Sequence, residues 1–251
     1  MAVQSGRRAD PAFSEGVNEM KKTACYLATR NVYPQVAPSL KSLLKNGGVD
    51  RVYILAEDGD LGYDLPSKVI VKNISGWREQ LLDPDGPNYN CKWTWMVMMK
   101  AALCKFFPEE RMLSLDMDTA VRGDLSELWD MDLEGYYFAG AREPFWTKRY
   151  GRDYVNAGVL MWNLEMMRDG TAEKALRAMN GIKYTFVEQD CLNEICAGKI
   201  KVIDAAYNAG DWTEPPGSEI RIRHYMASKG TWKAEPEIRG YAAMDWEEVF
   251  R

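Results

Sequence analysis

Short apolar runs alternate along this chain with longer stretches in which apolar residues recur at helical spacing. Residues 23–28 (TACYLA) and 52–55 (VYIL) predict buried strands. Residues 36–45 carry apolar side chains three or four positions apart and predict a helix, which ends at residues 46–48 (NGG) because glycine permits a left-handed cap. Such a strand–loop–helix–strand unit builds parallel sheets that bind ligands at the carboxyl ends of their strands.

The same alternation continues to the end of the chain. The further predicted strands are residues 69–74, 111–115, 136–141, 154–163, 200–203 and 220–224. The further predicted helices are residues 92–107, ended by Pro108, a turn at 125–128, 172–179, and 188–197, closed by Gly198. No internal repeat or low-complexity segment interrupts this order. The pattern predicts one α/β domain.

Composition narrows the class of protein. The chain has 251 residues, of which 46% are hydrophobic, enough for one sizeable core. The net charge is −5 and the Lys and Arg residues are scattered, so the sequence shows no basic patch that would bind a polyanion. No nucleic-acid partner is therefore expected. Residues 1–21 are charged and lack an apolar centre, which predicts a mobile extension rather than a secretory signal, followed by a domain over residues 22–251.

Apolar runs and cysteines bear on location. The longest apolar runs, residues 95–99 and 155–162, are far shorter than the roughly 20 residues of a membrane-spanning helix. No membrane span is therefore expected. The five cysteines are odd in number, unevenly spaced and mostly within apolar segments, which predicts reduced thiols and a cytoplasmic location.

Two carboxylates follow the predicted strand at residues 111–115. Asp116 and Asp118 are separated by one residue, so on leaving the strand they can converge on a hard cation such as Mg²⁺ or Mn²⁺. That cation would neutralise a diphosphate and stabilise the charge on this leaving group. A solvated loop or a helix cap is the alternative reading of the triplet. The apolar strand that runs directly into both acids favours the metal.

His224 is the only histidine and also follows a β-prone run, residues 220–223. A hydrogen-bonded structural histidine is one reading. Together with Asp116 and Asp118 it would form a ligand set that suits Mn²⁺.

Residues 115–129 (LDMDTAVRGDLSELW) closely resemble the metal-site segment of glycosyltransferase family 8, which includes glycogenin and bacterial lipooligosaccharide galactosyltransferases. Further segments match in the same order over residues 22–233. The resemblance implies a GT-A type domain with a Rossmann-like, mixed but mostly parallel central sheet flanked by helices. It also implies that Asp116, Met117 and Asp118 contact a UDP-sugar, and that Asp116, Asp118 and His224 bind Mn²⁺ or Mg²⁺.

The first loop resembles the uridine-binding loop of that family. By this resemblance Thr29 and Asn31 contact the nucleotide and Tyr33 stacks on the base, although a surface loop is the simpler reading. Lys100 stands where the family carries a basic residue near the donor's phosphate and sugar. On an apolar helix it needs a polar outlet, which could equally be solvent.

Residues 154–160 (YVNAGVL) resemble the segment that lines the donor sugar through Asn156, Ala157 and Gly158. Small side chains let a ligand approach the backbone, and close packing between strands is an equally physical reason for them. Glu143 stands where the family usually has an Asp that binds sugar hydroxyls.

Glu188 and Gln189 open a helix where the family usually has Asp-Gln. An ordinary acid in the first turn of a helix is the alternative for Glu188. The resemblance makes Gln189, Glu188 and Glu143 the candidate catalytic residues.

The closing segment departs from the family pattern. The residues expected to be Gly, Lys and Pro are Ala227, Gly230 and Thr231. Lys229, or Lys233, would then replace the family lysine that contacts the diphosphate.

The resemblance implies retaining transfer of a hexosyl group, glucose or galactose, from a UDP-sugar to a hydroxyl of a saccharide, glycolipid or protein. Gln189 is a poor nucleophile, which favours attack from the same face as the leaving phosphate. A sugar-nucleotide-forming nucleotidyltransferase and a non-catalytic carbohydrate-binding relative remain alternatives. Acceptor recognition is expected in the loops at residues 73–90 and 142–153, with Trp146 as a platform.

Overall fold

The computed structural model describes residues 21–226 and 231–251. The extension predicted at residues 1–21 lies outside the described residues except for Lys21, and Lys229 also lies outside them. No helix within the described ranges is both long and apolar enough to cross a bilayer.

Within the described residues, seven strands form one mixed sheet and two short strands form another. The strands are β1 Thr23–Ala28, β2 Arg51–Ala56, β3 Val69–Asn73, β4 Arg111–Leu115, β5 Thr119–Val121, β6 Phe138–Arg142, β7 Val155–Asn163, β8 Ile200–Ile203 and β9 Ile222–His224. The large sheet has the order β3-β2-β1-β4-β7-β6-β8, and β5 pairs with β9. In the large sheet only β7 runs antiparallel to its neighbours. The predicted mixed, mostly parallel sheet is confirmed.

Helices cover both faces of this sheet. They are α1 Tyr33–Asn46, α2 Ser75–Leu81, α3 Leu103–Phe106, α4 Ser126–Trp129, α5 Pro144–Tyr150, α6 Leu164–Met167, α7 Thr171–Gly181, α8 Val187–Ile195, α9 Pro236–Ala243 and α10 Trp246–Val249. The 3₁₀ helices are Arg30–Val32, Trp95–Ala102, Ala205–Asn208 and Thr231–Ala234.

Alternation along each strand divides the core into two layers. In β1, Tyr26 faces the α1 side, whereas Cys25 faces the side covered by α7 and α8. Trp162 of β7 is fully buried on the latter side, where it packs on Phe138 and donates a hydrogen bond from Nε1 to Ser114 Oγ at 2.8 Å. All five cysteines are free, and four of them are buried.

The direction of β7 concentrates the strand ends that matter for function. Because β7 is antiparallel to β4 and β6, its first residues lie at the edge where β4 and β6 end. The backbone N–H of Asp116, just after β4, donates to the carbonyl of Gly158 near the start of β7 at 2.7 Å. One edge of the sheet therefore gathers the ends of β1, β4, β6 and β8 with the beginning of β7.

The structure differs from the sequence-based elements in several places. The helix predicted at residues 92–107 is a 3₁₀ helix, Trp95–Ala102, followed by α3. Nearly every residue of that 3₁₀ helix is buried. Because the segment has no separate buried and exposed faces, the hydrophobic pattern does not favour the α-helical repeat of 3.6 residues over a 3₁₀ helix. The loops predicted at residues 73–90 and 142–153 contain α2 and α5. Strand β5 was not predicted, because its three residues carry too short a pattern.

Trp162→Ala should destabilise the protein by about 3–5 kcal/mol, since it empties a fully buried site and leaves Ser114 without its partner. Urea unfolding followed by circular dichroism measures the change in the free energy of unfolding. Trp212→Ala is the matched control, because Trp212 is 58% exposed and its loss should cost no more than about 0.5 kcal/mol. A loss below about 1 kcal/mol for Trp162→Ala would contradict this packing.

Candidate active site

Two short strands bring the predicted metal ligands together. Asp116 and Asp118 flank the turn between β4 and β5, and His224 ends β9. Thr119 pairs directly with His224 across the small sheet, and the N–H of Tyr225 donates to the carbonyl of Asp118 at 2.9 Å. The small sheet thus places a residue more than one hundred positions away beside the Asp pair.

The three side chains form a compact ligand cluster. One ligand atom from each of Asp116, Asp118 and His224 lies within 4.8 Å of the other two. His224 Nε2 is 3.2 Å from Asp118 Oδ1 and 3.9 Å from Asp116 Oδ2. His224 Nδ1 donates to Asn208 Oδ1 at 2.8 Å, so Nε2 is the nitrogen that faces the carboxylates. Two carboxylate oxygens and one imidazole nitrogen are a donor set that fits Mn²⁺.

Gly158 leaves the space in which the His224 ring lies. A Cβ on residue 158 would be 2.1 Å from His224 Cε1 and 2.7 Å from Nδ1. Of the two reasons considered for small residues on this strand, packing explains Gly158, because the imidazole lies directly against its backbone.

Charges within the cluster shift the pKa values of His224 and Asp118. Burial lowers the pKa of His224, but the Asp118 and Asp116 carboxylates raise it by more, so it lies above its ordinary value. Burial raises the pKa of Asp118, and the neighbouring His224 lowers it by more. Each group therefore favours the charged form of the other, as expected for opposite charges 3.2 Å apart.

Lys100 is a buried cation at the centre of the site. Its Nζ donates to Asp116 Oδ1 at 2.7 Å, to the carbonyl of Ala157 at 2.9 Å and to Glu188 Oε1 at 3.4 Å. The residue is 3% exposed, so its polar outlet is this site and not solvent. Burial lowers the pKa of Lys100, and Asp116 and Glu188 raise it by more. Burial raises the pKa of Glu188, and the nearby charge of Lys100 lowers it by less, so the pKa lies above its ordinary value.

The amide of Gln189 is fully occupied by hydrogen bonds. Its Oε1 accepts from the backbone N–H of Ala157 at 3.0 Å and from Asn156 Nδ2 at 3.2 Å. Its Nε2 donates to Tyr154 Oη at 3.1 Å and to Glu143 Oε2 at 3.3 Å. Both lone pairs and both N–H groups of the amide therefore have partners within the protein.

Asn156 joins Gln189 to Glu143, Gly158 and Asn208. Its Nδ2 donates to Glu143 Oε1 at 2.7 Å, and its Oδ1 accepts from the N–H of Gly158 at 2.8 Å and from Asn208 Nδ2 at 3.0 Å. Burial raises the pKa of Glu143, and the hydrogen bonds from Asn156 and Gln189 lower it by less, so the pKa lies above its ordinary value. The candidate catalytic and sugar-binding residues thus form one connected network.

The first loop lies after β1 at the same edge of the sheet. Thr29 Oγ1 donates to Asn31 Oδ1 at 2.6 Å, and the loop predicted there is a 3₁₀ turn. Tyr33 begins α1 and is 4% exposed, and its hydroxyl donates to Asp58 Oδ1 at 3.1 Å. A base could stack on this ring only after its neighbours moved. Met117 lies half-buried against the core on the α1 side.

Several residues of the network carried no signal in the sequence. Asn208 orients His224, and Asn193 accepts from the N–H of Val155 at 2.7 Å and donates to its carbonyl at 2.8 Å. Tyr154 Oη donates to Asp190 Oδ1 at 2.6 Å while it receives the bond from Gln189. Isolated Asn and Tyr residues belong to no spacing pattern, so the sequence pattern predicts no role for them. The family resemblance includes Tyr154 in a matched segment but assigns it no role.

A family model described as "Glycosyl transferase family 8" matches residues 61–233, which is more than half of the chain. The loop with Thr29, Asn31 and Tyr33 precedes the matched range.

Individual proteins give the same relationship. A Haemophilus influenzae protein assigned as a glycosyltransferase is 29% identical over 201 residues, which are 70% of this chain and 59% of that protein. The lipopolysaccharide 1,3-galactosyltransferase of Salmonella typhimurium is 26% identical over 168 residues, 56% of this chain and 50% of that protein. The chain therefore spans between half and three fifths of the length of these two relatives.

Among solved structures, galactosyltransferase LgtC in complex with donor and acceptor sugar analogs has the same fold. The two chains superpose with a TM-score of 0.67 at 16% identity, over 90% of this chain and 98% of that one. This likeness confirms the GT-A type fold.

Gly158→Ala should weaken Mn²⁺ binding at least about tenfold, because the new methyl group displaces the His224 ring and leaves two ligands. Isothermal titration calorimetry with MnCl₂ measures the affinity, and circular dichroism checks the fold. Gly181→Ala is the matched control, since nothing lies within 4 Å of a Cβ placed there. Unchanged affinity in Gly158→Ala would remove His224 from the ligand set.

Proposed function

The chain belongs to glycosyl transferase family 8, and on this basis we propose that it transfers a hexosyl group from a UDP-sugar to an acceptor hydroxyl with retention of anomeric configuration. The observation that carries the proposal is the meeting of a cluster that could hold a cation with a network of hydrogen-bonded polar side chains at one edge of the sheet. Glucose and galactose are the proposed sugars, and a saccharide, glycolipid or protein is the proposed acceptor.

The residues present fit a divalent cation. Asp116, Asp118 and His224 would hold it, and the hydrogen bond from His224 to Asn208 already presents Nε2 for coordination. With His224 neutral, these three side chains carry two negative charges, which balance one dication. When bound, Mn²⁺ or Mg²⁺ would neutralise the diphosphate and stabilise the charge that develops on departing UDP.

The donor's remaining contacts follow from the same edge of the sheet. Lys100 would hold Asp116 in place and add a positive charge beside the phosphates. Asn156, Ala157 and Glu143 would line the sugar, and Thr29, Asn31 and Tyr33 would receive the nucleoside. Met117 and Lys229 complete the proposed donor set, in which Lys229 is proposed as the lysine that contacts the diphosphate.

The hydrogen bonds of Gln189 support direct transfer rather than a covalent intermediate. A nucleophile needs a free lone pair aimed at the anomeric carbon, and both lone pairs of Gln189 Oε1 already accept hydrogen bonds. In the proposed reaction the acceptor oxygen bonds to the anomeric carbon on the face from which UDP departs. The C–O bond to the diphosphate breaks, and a phosphate oxygen takes the acceptor's proton.

Glu143 and Glu188 fit electrostatic roles in this mechanism. Glu188 is buried beside Lys100, and Glu143 is held by Asn156 and Gln189. Two buried carboxylates in fixed positions would stabilise the positive charge of a sugar whose leaving group is departing. Gln189 would hold Glu143 in position by hydrogen bonding. The free cysteines support a reducing, cytoplasmic location.

UDP release from UDP-glucose and UDP-galactose should require Mn²⁺ or Mg²⁺ and should fall at least about 100-fold in Asp118→Asn, since losing a Lewis-acid ligand costs several kcal/mol. A coupled UDP assay with and without EDTA measures it. Asp130→Asn is the control, because Asp130 is exposed and lies outside the site. Pyrophosphate release from UTP and a sugar 1-phosphate would instead identify a nucleotidyltransferase, and metal-independent binding without turnover a non-catalytic relative.

Gln189→Ala should slow transfer about 10- to 100-fold without abolishing it, because the side chain positions Glu143 and does not attack the sugar. Chromatography of the glycoside product reports the rate and the anomeric configuration, and mass spectrometry searches for a glycosyl adduct. Gln80→Ala, at an exposed glutamine, is the control. Loss of activity to background, with a glycosyl group trapped on another side chain, would refute front-face transfer.

A further inference from the structure

A cluster of aromatic rings lies on α5 and extends towards the candidate active site. We call it the aromatic platform; its members are Trp93, Phe145, Trp146, Tyr150, Tyr154 and Phe186. Three of them keep large exposed fractions: Phe145 at 64%, Tyr150 at 45% and Trp93 at 39%. Several exposed rings gathered in one patch are unusual on a protein surface and mark a binding site.

Trp146 is the centre of the platform and not its binding face. Its ring lies 5.0 Å from Phe145 at 87°, 5.4 Å from Phe186 at 75° and 5.7 Å from Tyr150 at 22°. Edge-on and stacked neighbours therefore surround it. Trp146 is therefore not the stacking surface that the sequence predicted. Phe145 is the most exposed ring of the platform and offers that surface, and Trp146 packs against it.

The platform is connected to the proposed reaction centre. Tyr150 stacks on Tyr154 with centroids 5.5 Å apart, and Tyr154 Oη is hydrogen-bonded to Gln189 Nε2 at 3.1 Å. Glu143, which accepts from Gln189 and Asn156, immediately precedes α5. A ligand that lies on Phe145 and Tyr150 would thus adjoin the hydrogen-bond network of Tyr154, Gln189 and Glu143.

Four cations surround the exposed rings. Lys92 lies 4.4 Å from the Trp93 ring centroid, Arg149 5.6 Å from that of Trp146 and Arg152 5.8 Å from that of Tyr150. Lys148 adjoins them on the exposed side of α5. Within the described part of the chain, none of these four cations has an ion pair or a side-chain hydrogen bond.

This charge contrasts with the rest of the molecule. The whole chain carries −5, whereas these four cations have no ion-pair partner among the described residues, so this patch favours an anion more than the rest of the surface does. Arg over an aromatic ring keeps its N–H groups available for a carboxylate or a phosphate. Rings that offer flat apolar faces, next to cations, are complementary to a sugar that carries acidic groups.

We propose that the aromatic platform binds the acceptor, and that this acceptor is an acidic saccharide with a pyranose ring on Phe145 and its carboxylate or phosphate groups at Lys148, Arg149 and Arg152. The inference rests on the proposed function, because it assigns the second substrate of that same site. A saccharide is favoured over a lipid surface because the rings lead inward from Phe145 to Gln189 rather than forming a flat face directed only outward.

Binding of one matched pair of probes tests the charge. The full chain is titrated by calorimetry with a tetrasaccharide of glucuronic acid and with its methyl ester, which keeps the rings but removes the charge. The acid should bind at least about tenfold more tightly than the ester, and its affinity should fall between 50 mM and 300 mM NaCl. Equal affinities would overturn the proposal.

Variants test the location. Phe145→Ala and the double variant Arg149→Gln, Arg152→Gln should each weaken binding of the acid at least about fivefold, as expected for a lost ring face or lost charge contacts. Phe250→Ala and Arg239→Gln are matched controls, since both residues are exposed and lie at the other end of the chain. Wild-type affinity in both platform variants, or binding only to phosphatidylglycerol vesicles, would overturn it.

A separate measurement keeps this test independent of the proposed function. UDP release from UDP-sugar with Mn²⁺ and no acceptor is measured on the wild-type chain. If UDP is released while the acid and the ester bind equally, the acceptor assignment fails and the transferase proposal stands. If the acid binds selectively at the platform and no UDP is released from any UDP-sugar, the transferase proposal fails.

Discussion

The rest of the site depends on the hydrogen bonds and ion pairs made by the ammonium group of Lys100. It reaches from a buried 3₁₀ helix to the end of β4, the start of β7 and the first turn of α8 through Asp116, Ala157 and Glu188. A buried cation without partners would cost several kcal/mol, so folding around Lys100 requires those three groups to converge. One charge thereby aligns the strand that ends before Asp116, the strand of Ala157 and the helix of Gln189.

Much of this could be predicted from the sequence because the informative residues stand at the ends of strands. An apolar strand that runs into Asp116 and Asp118, and a β-prone run that ends at His224, are local patterns. Lys100 was predicted only by resemblance, since an isolated Lys on an apolar segment fits either solvent or a buried partner. The predicted strands at residues 111–115 and 200–203 begin and end at the same residues as in the structure, because turns or charged residues flank both runs.

The remainder depends on long-range geometry that no local pattern carries. The antiparallel direction of β7 decides that Asn156, Ala157 and Gly158 meet Asp116, and nothing within residues 155–163 encodes that direction. Gly158 shows the consequence: its sequence neighbours suggest a close approach of some kind, but only the pairing of β5 with β9 reveals that the approaching group is the His224 ring. Asn208 belongs to the site for the same reason, through a contact sixteen residues away in the chain.

Gln189 links the two halves of the proposed reaction because its hydrogen bonds are used up. Its Oε1 is bound to the strand that would line the donor sugar, and its Nε2 is bound to Tyr154, the innermost ring of the aromatic platform. A side chain held from both sides cannot turn to attack the sugar without breaking buried hydrogen bonds, each of which costs about 1–3 kcal/mol when a partner is left unsatisfied. The same bonds fix Tyr154 relative to Ala157, which is proposed to line the sugar. The arrangement that argues against a covalent role for Gln189 therefore argues for a role in holding the proposed donor and acceptor sites in fixed positions relative to each other.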